Sequence, residues 1–187
     1  MSCYFFCDTG SIIGYCDTKD YHHHSCDFFF NKYPKDKNSY YITDVVKGEL
    51  QGKRRKYLRN SKNSSPSEIT RIRKIQQCID IHIHNIEKFN CKDSHPHLND
   101  LIITLQKIIK IKGIQQINDI KIVAHAIIWS IKITEDSSTL ITVDKKDLSS
   151  KESKIQRECG KIVAQPVTLS MLYLPDYYNY KVKRGKR

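Results

Sequence analysis

Short apolar segments alternate with longer amphipathic segments along the chain, and this alternation restricts the fold more than any other feature of the sequence. Residues 4–7 and 139–143 are typical of short buried strands. Apolar residues at steps of three and four predict helices at 69–86, 98–109 and 120–131. Strands separated by helices indicate an α/β fold with a central parallel sheet flanked by helices.

The ends of these segments carry further signals. Thr9 or Ser11 is placed to cap a helix after the first strand, and Ser67 resembles the N-cap of the helix at 69–86. Residues 79–84 also alternate with a period of two, but the longer helical pattern continues through them and favours a helix. Other expectations are a short helix near 153–159, a last strand at 161–164 and a mobile basic segment at 181–187.

The composition is typical of one globular domain with a basic surface. Of the 187 residues, 39% are apolar and 28% are charged, which argues against a disordered chain. We expect a single domain at 1–175 and a basic C-terminal tail at 176–187. The net charge of +12 favours a polyanionic partner, nucleic acid before an anionic membrane, although it also fits a generally solvated basic surface.

The sequence predicts a cytoplasmic protein without a membrane segment. No apolar run reaches the ~20 residues that span a bilayer, and the first residues lack the basic start of a signal peptide. In a reducing compartment we expect the seven cysteines to be free thiols. His22, His23 and His24, with Cys16 and Cys26, do not have the spacing of a common zinc module and are interpreted as a polar loop.

Acidic residues stand at strand ends and helix starts. Asp8 and Asp144 each follow a predicted strand, and the carboxyl ends of parallel strands form the usual ligand crevice. Asp119 opens a helix, and Glu49 falls on an inward helix face, with Asp44 as a competing candidate. Carboxylates brought together repel one another unless a cation neutralises them, and an all-oxygen set favours Mg²⁺ or Mn²⁺ over Zn²⁺.

Each acid also has a purely structural interpretation. Asp8 or Asp119 could cap a helix, and Asp144 could fill a turn. Residues 8–11 spell Asp-Thr-Gly-Ser, which is also the aspartic-protease signature. That chemistry needs two aspartates sharing a proton, and without a second Asp-Thr-Gly it would require a homodimer. Four acids in order, each at a strand end or helix start, favour the metal site.

The acidic motifs resemble those of PIN-domain nucleases across residues 4–167. The opening motif of that family, an apolar strand that ends in Asp, is matched by residues 5–13. The other matches are residues 41–50 for the second motif, residues 119–126 for the third and residues 140–148 for the fourth, a strand followed by Thr-x-Asp-x-x-acid. Gly10 stands where a small polar residue is more usual in the family.

The resemblance implies a PIN-like three-layer sandwich and hydrolysis of RNA phosphodiester bonds with Mg²⁺ or Mn²⁺. The implied catalytic metal ligands are Asp8, Glu49, Asp119 and Asp144, with Asp147 as a fifth acid. The implied hydrogen-bonding supports are Thr9, Ser11 and Thr142. The basic residues expected to hold RNA phosphates, unless they are simply a solvated helix surface, are Lys53, Arg54, Arg55, Lys56 and Arg59.

Partners and competing functions follow from the same resemblance. Many small PIN proteins of the VapC kind are toxins paired with an antitoxin, and PIN domains commonly dimerise, so an antitoxin and a second copy of the chain join RNA as expected partners. Aromatic residues near Phe28, Tyr40 and Tyr177 are candidates for the antitoxin interface. A non-catalytic RNA-binding or scaffold protein is the alternative to the nuclease.

Overall fold

The computed structural model describes residues 3–109, 117–133, 138–143 and 148–184. The strands in this part of the chain are β1 (Tyr4–Cys7), β2 (Ser39–Ile42), β3 (Glu87–Lys88), β4 (Ser138–Thr142) and β5 (Ser170–Tyr173). The α-helices are α1 (Thr9–Cys16), α2 (His23–Lys32), α3 (Asp44–Asn60), α4 (Pro66–Asn85), α5 (Leu98–Ile109), α6 (Ile117–Lys132), α7 (Glu152–Val163) and α8 (Leu174–Arg184).

The five strands form one sheet in the order β3-β2-β1-β4-β5, and every neighbouring pair is parallel. The predicted α/β fold with a central parallel sheet flanked by helices is therefore confirmed. From β1 the chain first builds one side of the sheet and later the other, so the junction of β1 and β4 is a topological switch point. Ligands of open α/β sheets bind at such a point, beyond the carboxyl ends of the strands.

Helices cover both faces of the sheet at its centre. Phe5, Phe6 and Cys7 are consecutive and all buried, and so are Leu140 and Ile141 in β4. Adjacent residues of a strand point to opposite faces, so consecutive burial requires cover on both sides. On one face, α6 contributes Trp129, which is 1% exposed and lies 5.4 Å from the ring of Phe6.

The helix predicted at 69–86 is confirmed as α4, including the segment 79–84 that also alternates with period two. Its buried residues include Ile72, Ile75 and Ile79, at helical spacing. The prediction of Ser67 as its N-cap is wrong. Ser65 is the cap because its hydroxyl accepts the backbone N–H of Glu68, and proline follows at the first helical position, where no N–H is needed.

The C-terminal part of the chain differs from the prediction. Residues 161–163 belong to α7, whose buried residues Ile155, Cys159 and Val163 recur every four positions, as on one face of a helix. The last strand is β5, after the turn that Ala164 makes with a φ of 54°. The segment from residue 174 to 184, expected to include part of a mobile tail, forms α8, which packs on α2.

The expectation of seven free thiols is wrong for two of them. Cys16 at the end of α1 and Cys78 on α4 form a disulfide with their Cα atoms 5.5 Å apart. Cys7, Cys26 and Cys159 are buried free thiols, and Cys3 and Cys91 are half-buried free thiols. None of the described helices is long and apolar enough to cross a membrane.

Two helical glycines give opposite predictions for stability. A Cβ at Gly14 of α1 would lie 2.7 Å from the Cys26 Sγ atom of α2, whereas a Cβ at Gly48 of α3 would meet no atom of the described part of the chain within 4 Å. We expect Gly14→Ala to lower the free energy of unfolding by about 1–3 kcal/mol through overpacking. Gly48→Ala should raise it by roughly 0.5–1 kcal/mol because alanine is the better helix former. Urea unfolding of both variants measures the difference, and equal stabilities would contradict the close packing of α1 on α2.

Candidate active site

Asp8 lies at the junction between β1 and α1 and caps the helix. Its Oδ1 atom accepts the backbone N–H of Ser11 at 2.6 Å, and the Ser11 hydroxyl donates to the backbone carbonyl of Asp8 at 2.9 Å. The expectation that Thr9 or Ser11 caps α1 is therefore wrong. The Thr142 hydroxyl and the Val143 backbone N–H also donate to the Asp8 carboxylate, so the end of β4 contributes to the same cap.

The environment of Asp8 opposes its ionisation. Burial raises the pKa of the Asp8 carboxyl, and the hydrogen bonds from Ser11, Thr142 and Val143 offset that rise only in part. A carboxylate in such a place is stabilised by an added positive charge. The group is therefore suited to bind a cation.

Glu49 is fixed at both carboxylate oxygens by residues from other helices. The Thr9 hydroxyl of α1 donates to Oε2 at 2.5 Å, and the Asn118 side-chain amide of α6 donates to Oε1 at 2.9 Å. Asn118 was not among the predicted site residues. Its position directly before Asp119, a predicted metal ligand, was the sequence feature that could have indicated a role in the site. The competing candidate Asp44 is exposed in the first turn of α3 and does not line the cleft next to Glu49.

A cleft of about 590 Å³ lies beside these groups. The first, second and third predicted motifs contribute Thr9, Glu49 and Asp119 to its wall, and Val143, directly after β4, lines it as well. His22, interpreted from the sequence as part of a polar loop, lies here as well, together with Asp20. His23 and His24 instead form the start of α2.

One face of α3 gives the cleft its positive charge. Lys53, Lys56 and Arg59 line it, and they follow Glu49 on the helix at steps of four, three and three residues. The other two predicted RNA-binding residues do not line it: the Arg54 Nε atom lies 3.0 Å from Asp80 of α4, and Arg55 is exposed elsewhere on the helix. The five basic residues thus divide into three at the cleft and two outside it.

Gly10 allows the close approach of α1 to the end of β4. A Cβ at this position would lie 2.6 Å from Val143 Cγ2 and 3.8 Å from each carboxylate oxygen of Asp8. The small polar residue that is more usual here in PIN domains would collide with Val143. Asp144 follows Val143 directly, and it lies, with Asp147, outside the described residues.

The donor atoms suit a hard cation, although the acids are spread out. Asp8, Glu49 and Asp119 offer carboxylate oxygens, as Mg²⁺ and Mn²⁺ prefer. Within the described ranges, these three carboxylates do not all lie within 4.8 Å of one another. Like charges repel without a cation, and Glu49 meanwhile binds Thr9 and Asn118. The donor types are those of an Mg²⁺ or Mn²⁺ site, and Glu49 and Asp119 line the cleft, whereas Asp8 directly precedes the lining residues Thr9 and Gly10 in the sequence and is not itself part of the wall.

Comparison with known proteins finds similarity among solved structures. No family model matches the chain, and no curated protein matches it. The chain is similar to the crystal structure of VapBC2 from Rickettsia felis bound to a DNA fragment from their promoter, with a TM-score of 0.47 and 17% identity over 90% of this chain and 97% of that chain. Similarity at this level does not transfer residue roles, so the function proposed below rests on the geometry of the site.

The raised pKa of Asp8 predicts how Asp8→Asn changes stability with pH. An acid whose pKa is higher in the folded than in the unfolded state loses stabilising free energy as the pH rises through the folded pKa. Asparagine keeps the oxygen that caps α1 but carries no charge. We therefore expect Asp8→Asn to be more stable than wild type at pH 7 in EDTA, with a difference that shrinks as the pH falls into the usual range of aspartate.

Urea unfolding across this pH range measures the effect of Asp8→Asn. Asp36→Asn is the matched control, because Asp36 is exposed in a turn and its replacement should change the free energy of unfolding by no more than about 0.5 kcal/mol. A variant Asp8→Asn that is less stable than wild type at pH 7 would mean that the folded protein favours the ionised carboxylate.

Proposed function

We propose that the chain is a metal-dependent ribonuclease of the PIN-domain kind, which hydrolyses RNA phosphodiester bonds in the cleft beside Asp8. The observation that carries this proposal is the double tether of Glu49. Its partners Thr9 and Asn118 are 40 and 69 residues away in the sequence. The first motif, the second motif and the residue directly before the third therefore meet at one carboxylate, in a cleft that Val143, directly after the strand of the fourth motif, also lines.

The proposed metal ligands are Asp8, Glu49, Asp119 and Asp144. A bound Mg²⁺ or Mn²⁺ lowers the pKa of a coordinated water and neutralises charge on the scissile phosphate. The protein supplies the rest: Ser11 and Thr142 orient the carboxylate of Asp8, and Thr9 and Asn118 orient that of Glu49. Outer hydrogen bonds of this kind fix the direction of ligand oxygens and tune their basicity.

The basic face of α3 is the proposed RNA-binding surface. Lys53, Lys56 and Arg59 are exposed and lead away from Glu49 along one helix face. A step of three residues advances about 4.5 Å along a helix axis, so the three cations form a single row. Such a row follows one phosphodiester backbone, which favours a single-stranded segment of RNA as the substrate.

The first prediction for this function concerns the acids. With Mg²⁺ or Mn²⁺ the wild type should cleave a mixed RNA pool, and EDTA should abolish the reaction. We expect Asp8→Asn and Glu49→Gln to lose at least about 100-fold in kcat/KM, and Thr9→Val to lose about 10–100-fold because it only supports Glu49. Asp36→Asn controls for the loss of a charge. Full activity of Asp8→Asn, or cleavage in EDTA, would overturn the proposal.

The second prediction compares two double variants with the same change in charge. Lys53→Gln with Lys56→Gln removes two cations at the cleft, and Arg54→Gln with Arg55→Gln removes two outside it. Each phosphate contact to a single strand contributes about 0.7 to the slope of log K against log salt, so the first pair should flatten the slope by about 1.4. The second pair should leave the slope near wild type. Equal slopes would mean that the charge acts at long range and not at the cleft.

A non-catalytic RNA-binding protein is the second candidate. The observation that favours it is the spread of Asp8, Glu49 and Asp119, which do not all lie within 4.8 Å of one another among the described residues. Salt-dependent RNA binding that survives Asp8→Asn, with no cleavage under any divalent ion, would establish it. Metal-dependent cleavage would exclude it.

An antitoxin or a second copy of the chain remains a proposed partner, and the aromatic residues of α2 and α8 offer the surface. Phe28, Tyr177 and Tyr178 are half-buried and in contact, with the Lys32 ammonium 5.2 Å from the centre of the Tyr177 ring. Tyr40 is not available to a partner, because it is 3% exposed and donates a hydrogen bond to the Tyr33 carbonyl inside the core.

A further inference from the structure

Three soft donor groups lie together where the end of α1 packs on α4, outside the cleft. Cys16 ends α1, and Cys78 and His82 are one turn apart on α4. Both Sγ atoms and a ring nitrogen of His82 lie within 4.8 Å of one another. None of the three residues lines the cleft of the proposed active site, so this cluster is a separate feature of the molecule.

The imidazole of His82 is buried close to both sulfurs of this cluster. The side chain is 4% exposed, and its Nδ1 atom lies 2.9 Å from the Cys78 carbonyl oxygen and 3.8 Å from the Cys78 Sγ atom. Its Nε2 atom is buried and has no hydrogen-bond partner among the residues that the structure describes. The ring nitrogen beside the Cys78 sulfur is Nδ1, and a neutral imidazole in this position, next to two sulfurs, is suited to coordinate a metal ion.

Polar contacts fix the end of α1 independently of the disulfide. Asp17 follows Cys16 directly, is 7% exposed, and accepts a hydrogen bond from the Tyr57 hydroxyl of α3 at 2.8 Å. It also forms an ion pair with Arg71 of α4. These contacts join the end of α1 to α3 and α4 without using the S–S bond. They would therefore favour a short distance between Cys16 and Cys78 in the reduced protein as well.

We propose that Cys16, Cys78 and His82 bind one Zn²⁺ ion when the Cys16–Cys78 disulfide is reduced. A thiol reductant gives the disulfide two electrons and two protons, and is itself oxidised to a disulfide. Zn²⁺ then displaces the two thiol protons to solvent and binds two thiolates and one neutral imidazole. A ligand set of two sulfurs and one nitrogen selects Zn²⁺ over Mg²⁺ and Mn²⁺.

The proposed zinc site has one open position. Zinc in proteins takes four ligands in a tetrahedron, so three side chains leave one place for water or a small ligand. Cys78 is half-buried, which gives solvent access on that side. The disulfide and the zinc complex exclude each other because both use the same two sulfurs, and both join α1 to α4.

Cobalt substitution tests the proposed ligands. The full-length protein, reduced with a phosphine and stripped with EDTA, is titrated with Co²⁺, which reports thiolate ligands by an intense near-ultraviolet charge-transfer band. We expect one equivalent of Co²⁺ to produce the band and one equivalent of Zn²⁺ to remove it. Cys78→Ser and His82→Ala should weaken or abolish it, whereas Cys159→Ser, a buried free cysteine on α7, should keep it. Absence of the band in the reduced wild type would overturn the proposal, as would a full band in Cys78→Ser.

The wild type provides a second test that does not depend on the folding of variants. Cys78 and Cys91 are both half-buried, and only Cys78 belongs to the cluster. In reduced protein, Zn²⁺ at ten times its dissociation constant should slow alkylation of Cys78 by N-ethylmaleimide about tenfold and leave Cys91 unchanged, as followed by peptide mass spectrometry. Equal rates with and without Zn²⁺, or equal protection of both cysteines, would exclude the site.

Discussion

The cap that Asp8 forms on α1 is the interaction on which the site depends. One carboxylate accepts hydrogen bonds from Ser11 in α1 and from Thr142 and Val143 at the end of β4. It thereby fixes the first helix to the two central strands of the sheet. Burial of this carboxyl group raises its pKa, so its ionised form is unfavourable in the absence of a nearby positive charge. A cation in the cleft would remove this conflict, which links the stability of the fold to the proposed chemistry.

Helix α1 connects the Asp8 cap at one end to contacts with α3 and α4 at the other. At its start are Asp8 and Thr9, which contact β4 and Glu49, and at its end are Cys16 and Asp17, which contact α3 and α4. Its eight residues span about 12 Å, a single rigid element. Gly10 lets its start approach β4, where any Cβ would meet Val143. Contacts at both ends therefore determine where the Thr9 hydroxyl meets the carboxylate of Glu49.

The parts of the fold that depend on local pattern were predictable from the sequence. The long apolar periodicity predicted α4 correctly, and the position of Asp8 directly after β1 followed from the end of the apolar run at Cys7. The end of the chain was misread because the run at 161–164 is apolar enough for a strand. Its apolar residues in fact continue the four-residue repeat that begins at Ile155, and only packing on the rest of the protein decides between the two.

Contacts between distant residues could not be predicted in this way. Asn118 and Glu49 are 69 residues apart and Cys16 and Cys78 are 62 residues apart, and the residues around each of them do not indicate which partner they contact.

The directions of the basic side chains on α3 could not be predicted from the sequence either. Five basic residues stand close together in the sequence and look equivalent there. In the structure, Lys53, Lys56 and Arg59 line the cleft, whereas Arg54 forms an ion pair with Asp80. The geometry of the helix therefore places three of the five positive charges at the cleft. A row of cations beside the half-buried carboxylate of Glu49 suits the proposed phosphodiesterase activity, because the substrate would be held by its charge while the carboxylates act on one bond.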